Sequence, residues 1–319
     1  MSFIFLIIGF LFLIKGADIF VEGASTIAKK FNVPPMVIGL TIVAMGTSAP
    51  EAAVSITSSL AGQNDMSIAN VVGSNFFNIL VVLGVSSIIA KLPVQKDTIK
   101  NDTPFLILVS LLLLIFGLNL KLGRLEGFML LALFTLFLLK TVKSGMKSNN
   151  SDTDTSSSEA AVAIDISQED HVSIPKTILL CIIGAIGIIF GGDLVVNSAT
   201  NIATSFGMSA NLVGLTIVAV GTSLPEFVTS VVATKKGETD IAIGNVIGSN
   251  LFNILLVLGL SASIHPITMS TLAFIDIVFM LAITILLYIF MKKDNSLVKK
   301  QGILLVVLYI AYMIFTIVR

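Results

Sequence analysis

The chain is poor in the residues that build disulfides, metal clusters and charged surfaces. Of 319 residues, one is cysteine and two are histidine. Cys181 lies inside an apolar run, which excludes an internal disulfide and a cysteine-built metal centre and leaves the redox compartment open. His171 and His265 fall in connecting segments and carry no assignment. Charged residues make up 12% of the chain and cancel to a net charge of zero. No basic stretch is interleaved with aromatics, so nucleic acid is not an expected partner. Beside the buried acidic residues described below stands no nucleophile, no His/Cys set and no phosphate-binding basic cluster. The expectation is therefore a protein that is not an enzyme, with no catalytic residues and no cofactor.

What is present in excess is oil. Hydrophobic residues reach 55% and the mean hydropathy is +1.01, too high for a soluble globule of this length. A bilayer core takes roughly 20 apolar residues per helix, and ten such runs can be read at 2–22, 36–61, 66–90, 103–120, 124–143, 175–199, 210–234, 240–264, 271–291 and 300–318. The fold class is an all-α polytopic membrane protein with ten transmembrane helices and the lipid bilayer as its solvent. The first run has neither a basic n-region nor a small-x-small cleavage site, and it reads as a retained helix. Fifteen lysines fall in the loops after spans 1, 3, 5, 7 and 9, against Lys121, Arg124 and Arg319 on the other side. That asymmetry makes the lysine side cytoplasmic and puts both termini on the outer side of a plasma or inner membrane.

The chain repeats itself. Gly39–Glu51, GLTIVAMGTSAPE, recurs at Gly214–Glu226, GLTIVAVGTSLPE, with 11 of 13 positions identical at an offset of 175. Asn70–Gly84 matches Asn245–Gly259 at 12 of 15 positions with the same offset, and Asp18 pairs with Asp193 and Asp65 with Asp240. Each half therefore has five spans. Because five is odd, the halves (1–143 and 175–319) enter the membrane from opposite sides, giving two inverted five-helix repeats, a transporter architecture. Residues 144–174 between them are rich in Ser, Asp and Asn, hold six acidic residues against Lys147, and read as a flexible, solvated cytoplasmic linker.

The repeated stretch puts hydroxyls, a proline and a carboxylate into an apolar run. Pro50 has no N–H for the carbonyl of Gly46, so the helix should break near Ala44–Thr47 and leave carbonyls without partners. Such a break is tolerated in hydrocarbon where it lines a cavity. The freed carbonyls, the hydroxyls of Thr47 and Ser48 and the carboxylate of Glu51 form an all-oxygen ligand set, the kind that hard cations take. Ala219, Thr222, Ser223 and Glu226 repeat it around Pro225. Ser74 with Asn78, and Ser249 with Asn253, lie one helical turn apart and share a face that completes the shell. Lys15 is the only basic residue well inside a span and cannot neutralise two glutamates. Interhelical hydrogen bonding is an alternative role for Ser74 and Ser249. For Asp18 and Asp193 a solvated cap and a gating role both stay open, while Asp65 and Asp240 read as helix N-caps.

With these motifs, G-T-S-x-P-E and G-S-N-x-x-N in both halves, the chain resembles the cation/Ca2+ exchanger superfamily, specifically the prokaryotic type of sodium/calcium exchanger. The resemblance covers nearly the whole chain. It implies a secondary active antiporter exchanging Na+ for Ca2+ by alternating access, with Ca2+ between Glu51 and Glu226 and the backbone oxygens of Thr47 and Thr222. It implies sodium sites that add the Ala44 and Ala219 carbonyls, Ser74 and Ser249, and it makes spans 1 and 6 the gating pair. Some members of that family carry an acid where this chain has Asn78 or Asn253. Thr47-Ser48 and Thr222-Ser223, in place of an asparagine before the glutamate, point to sodium coupling. Ca2+/H+ antiport is the nearest alternative and a passive cation channel a more distant one; no obligatory protein partner is implied. Deleting most of residues 144–174 while keeping a short flexible connector should leave Ca2+ transport intact in proteoliposomes, and a folded but inactive deletion would show that the segment is more than a tether.

Overall fold

A span interrupted by proline has to restart, and the molecule is arranged around two such restarts. The computed structural model describes residues 2–62, 64–148, 173–207 and 219–318. Its helices are, in order, α1 (Ser2–Lys30), α2 (Pro35–Thr47), α3 (Ala49–Leu60), α4 (Ser67–Ile89), α5 (Thr98–Asn119), α6 (Arg124–Ser148), α7 (Ile174–Ser205), α8 (Ala219–Gly221), α9 (Leu224–Lys235), α10 (Thr239–Ile264), α11 (Thr271–Asp294) and α12 (Lys299–Val318). Eight described helices are long and apolar enough to cross a membrane, nine if the bent α2–α3 pair is one span. The expected span at 210–234 is described only from Ala219 onward, because 208–218 lie outside the described residues.

The chain bends by 50° between α2 and α3. The break falls at Ser48 (φ −84°, ψ 7°), just after the stretch where the sequence places it. Pro50 sits in the first turn of α3, where a missing N–H costs nothing, so the chain turns immediately ahead of the proline and not a full turn before it. The second copy behaves alike: Ser223 (φ −91°, ψ 6°) separates α8 from α9, which carries Pro225 in its first turn.

α4 and α10 form the centre, with α10 almost wholly buried. Both pass through a π-helical stretch at matching positions, Asn78–Val82 and Asn253–Leu258. α2 lies against α10 where Gly39 and Gly244 face each other; a Cβ on Gly39 would come 2.8 Å from the Ile241 carbonyl, and one on Gly244 2.7 Å from that of Met36. Around this centre α5, α6, α11 and α12 turn large apolar side chains outward, among them Leu108, Phe128, Leu136, Ile289 and Ile310. Such a surface is stable only under lipid.

α1 and α7 run past the spans read at 2–22 and 175–199, to 29 and 32 residues, and pack along one another. Glycines set their separation. A Cβ on Gly16 would lie 2.8 Å from the Gly184 carbonyl, and one on Gly184 2.8 Å from the Gly16 carbonyl; Gly191 meets Gly9 in the same way at 2.7 Å. Gly9 with Gly191 is the 175-residue counterpart of Gly184 with Gly16, so this contact obeys the repeat. Lys15 is exposed on the outside of α1.

Two short ties connect the halves. β1 (Leu92–Pro93) pairs antiparallel with β4 (Ser296–Leu297), and β2 (Lys121–Leu122) with β3 (Ile267–Thr268). The offset of 175 turns one tie into the other. Two expectations need correction. Asp240 is not the N-cap of α10: it lies in the first turn and accepts from Gln95 Nε2 at 2.7 Å, and the cap position belongs to Glu238. Asp65 is likewise past the helix start, because the helical stretch that leads into α4 begins at Asn64. α6 also continues to Ser148, into the segment read as linker, while 149–172 lie outside the described residues.

Because the α1–α7 contact leaves no room for side chains, Gly16→Val and Gly184→Val should each destabilise the folded protein by about 1–3 kcal/mol. Thermal melting of the detergent-solubilised protein checks this. Gly73→Ala, whose Cβ would meet nothing within 4 Å, should leave melting unchanged.

Candidate cation-binding site

The restart ahead of each proline decides where the glutamates go. With α3 beginning at Ala49 and α9 at Leu224, Glu51 and Glu226 occupy the first turn of a new helix inside the bundle, and both are fully buried. Helix N-termini favour negative charge, which offsets part of the cost of burial. Each hinge serine then serves the opposite half. Ser48 Oγ donates to Glu226 Oε1 at 2.8 Å, and Ser223 Oγ donates to Glu51 Oε1 at 3.0 Å. Ser249 Oγ adds a longer bond of 3.4 Å to Glu226 Oε1.

Their second oxygens have no such donor. Glu51 Oε2 and Glu226 Oε2 are buried without a hydrogen-bond partner among the described residues, and so are Ser74 Oγ, Asn78 Oδ1 and Asn253 Oδ1. The amides explain the last two: Asn78 Nδ2 donates to Asn250 Oδ1 and Asn253 Nδ2 to Asn75 Oδ1, both at 3.1 Å. With their N–H groups committed across the pseudo-two-fold, their oxygens are left over. Leaving a buried acceptor unsatisfied costs about 1–3 kcal/mol, more for a charged one. Five such oxygens from the duplicated motifs, beside one unpartnered nitrogen, Asn250 Nδ2, make a site dominated by oxygen, the ligand that hard cations take.

Four further residues hold this arrangement. Asn70 Nδ2 donates to the Glu51 carbonyl at 3.3 Å and to Ser55 Oγ at 2.9 Å, and its Oδ1 accepts from Thr222 Oγ1 at 3.4 Å. Asn245 Nδ2 donates to the Glu226 carbonyl at 3.4 Å and to Ser230 Oγ at 2.9 Å, and its Oδ1 accepts from Thr47 Oγ1 at 3.0 Å. Sequence reasoning passed over Asn70, Asn245, Ser55 and Ser230, although all four match across the 175-residue offset. The threonine hydroxyls thus face asparagine oxygens, that of Thr47 sharing its one proton between Asn245 Oδ1 and the Ala44 carbonyl. The Ala44 carbonyl is not freed by the break, contrary to expectation: it accepts from Ser48 N at 3.0 Å and from Thr47 Oγ1 at 3.4 Å. Ala219 opens α8 next to residues outside those described.

A cavity of about 410 Å³ borders Thr222 at one end of the site, lined among others by Pro50, Val54, Asp193, Asn197 and Pro225. Thr222 is 9% exposed and its counterpart Thr47 0%. The two half-sites, chemically alike, therefore differ in access.

A helical membrane protein with a buried, oxygen-lined pair of carboxylates at two proline breaks is a cation transporter in its architecture. The family model described as "Sodium/calcium exchanger protein" matches residues 1–143 and 176–318, and the chain belongs to that family. The sodium/calcium exchanger MaX1 of Methanosarcina acetivorans is 34% identical, the alignment covering 98% of this chain and 97% of that one. The inner membrane protein YrbG of Escherichia coli is 37% identical over 84% of this chain and 82% of its own length. Among solved structures, the sodium-calcium exchanger NCX_Mj superposes with a TM-score of 0.84 at 32% identity, covering 97% of both chains. The chain is accordingly an integral membrane protein of the cation/Ca2+ exchange class.

Because these amides hold the backbone at both glutamates, Asn70→Ala and Asn245→Ala should weaken Ca2+ binding about tenfold or more while the protein stays monodisperse. Calorimetric titration of the purified variants with Ca2+ checks this, and unchanged affinity would mean that the two amides do not organise the site.

Proposed function

We propose that the protein is an antiporter that exchanges Na+ for Ca2+ by alternating access, with Glu51 and Glu226 as the shared ligands of both ions. The observation that carries this reading is the set of five buried, unpartnered oxygens around two reciprocal serine–carboxylate bonds. Ca2+ sits between the two carboxylates with the backbone oxygens of Thr47 and Thr222. Na+ uses the same carboxylates with Ser74, Ser249 and the Ala44 and Ala219 carbonyls, the Ala44 oxygen giving up one of its present hydrogen bonds. Ser48 and Ser223 hold the carboxylates between loads, and Asn78 and Asn253 line the wall. What relatives are named for supports this choice of ions: MaX1 and NCX_Mj are both sodium/calcium exchangers by name.

Competition for the same carboxylates is enough to couple the ions. Two negative charges balance one Ca2+ or two Na+, and both loads cannot be held together. An unloaded site would cross the bilayer as a buried dianion, which costs far more than crossing loaded, so each return carries one ion or the other. A third Na+ would leave the site one unit positive, making transport respond to voltage by about 2.3 kcal/mol per charge per 100 mV. The ten spans form two inverted repeats, with the lysine-bearing end cytoplasmic and both termini outside. Inward Na+ then drives Ca2+ out.

Calcium-45 uptake into sodium-loaded proteoliposomes diluted into sodium-free buffer tests the reading, beside equal-sodium and pH-gradient controls. Uptake should follow the sodium gradient alone. Uptake driven only by the pH gradient would move the protein to Ca2+/H+ exchange, with the same two carboxylates taking protons. Glu51→Gln and Glu226→Gln should each reduce sodium-driven uptake to background in protein that still purifies as a single species; normal flux in either would remove that glutamate from the site.

A further inference from the structure

The two ends of the access pathway are built from corresponding positions of the repeat, yet among the described residues a cavity lines one of them and the other is filled. The cavity at Thr222 runs between α3 and α7, past Val196, Asp193 and Asn197. The offset of 175 maps these onto Val21, Asp18 and Glu22 of α1, and maps Ala53 and Val54 of α3 onto Val228 and Thr229 of α9. In the structure that second pathway is filled: Ala17, Val21, Thr229 and Thr47 are all fully buried. The Phe20 ring covers Gly46, where a Cβ would lie 3.0 Å from its Cζ.

Charges hold this end shut. Lys236 Nζ lies 2.8 Å from Asp18 Oδ1 and 3.3 Å from Glu22 Oε2, and it donates to the Asp18 carbonyl at 3.0 Å. Two residues on, Glu238 Oε1 accepts from Ser25 Oγ at 2.5 Å and pairs with Lys29 Nζ at 3.5 Å. Both anchors are rigidly presented. Gly237, with φ +79°, closes the end of α9, its N–H donating to Thr234 O while Glu238 N donates to Ala233 O. Burial alone would lower the Lys236 pKa, but the hydrogen bonds and charges of Asp18 and Glu22 outweigh it and the value is raised, so the ammonium keeps its charge.

The opposite end cannot make these bonds. Lys236 and Glu238 correspond to Ala61 and Gln63, and Glu22, Ser25 and Lys29 to Asn197, Thr200 and Thr204. Asp18 alone keeps its counterpart, Asp193, and that carboxylate is exposed in the open cavity. We propose that Lys236 and Glu238 form a one-sided ionic latch on α1 that holds the lysine-bearing end closed and biases the resting exchanger toward opening at the other end. This rests on the alternating-access part of the function proposed above. Partly exposed pairs of this kind are individually weak, so the latch sets a population and does not lock the protein.

The test reads accessibility at each end. In a Cys181→Ser background, Val21→Cys and Val196→Cys report the two pathways through their rates of modification by a membrane-impermeant maleimide, in protein held in lipid nanodiscs. Adding Lys236→Met should speed labelling at Val21→Cys about three- to tenfold, the range expected for losing two such pairs, and slow it at Val196→Cys. The swap of Asp18→Lys with Lys236→Asp should return both rates toward the parent. Unchanged rates would overturn the latch, and so would acceleration at both positions, which would signify a loosened bundle. Because labelling needs no ion flux, a failure of sodium-driven uptake with labelling as expected would count against the ion assignment and leave the latch standing.

Discussion

Two fully buried carboxylates, each bonded to a serine of the facing half, are the constraint that the rest of this molecule answers. Left alone in hydrocarbon, each would be forced to take a proton or leave the bilayer. The fold responds by breaking two helices ahead of a proline, so that each glutamate starts a new helix and receives a serine hydroxyl from the facing half. It also commits an N–H of Asn78 and of Asn253 to asparagines of the facing half, leaving their oxygens buried without a partner among the described residues. The arrangement satisfies only half of each carboxylate, and that shortfall is what gives the site an appetite for positive charge.

The pseudo-two-fold relation carries through to single atoms. Reciprocal pairs at the serines, at the asparagines, at the α1–α7 glycines and at the two β ties exchange under one residue offset. Symmetric construction of a site is useful to a transporter, because the same ligands serve when it is approached from either side. Departures from the symmetry are then where sidedness must reside. Here they gather at the ends of the pathway: Lys236 and Glu238 have no equivalents in the first half, and Thr222 borders a cavity where Thr47 is fully buried.

Much of this was legible in the residues. Hydropathy located the apolar runs, the repeat paired the motifs, and the oily context made Glu51 and Glu226 conspicuous. Three features were not legible, each for a physical reason. The break moved to Ser48 because a proline is more comfortable in a helix's first turn than a turn beyond a break, and local sequence does not rank those two options. Asn70 and Asn245 support the site through bonds that cross between segments far apart in the chain, which no spacing rule reports. The β ties escaped notice because two residues are too few for an alternating pattern to register.

Those ties carry a historical implication. β1 of the first half pairs with β4 of the second, and β2 of the first with β3 of the second. Since β3 is the equivalent of β1 and β4 the equivalent of β2, a single half holds both complementary edges. Two copies of one ancestral half, placed in opposite senses, would have formed both ties without any second gene. Once the two copies were joined in one chain, each was free to diverge where one end of the pathway had to differ from the other.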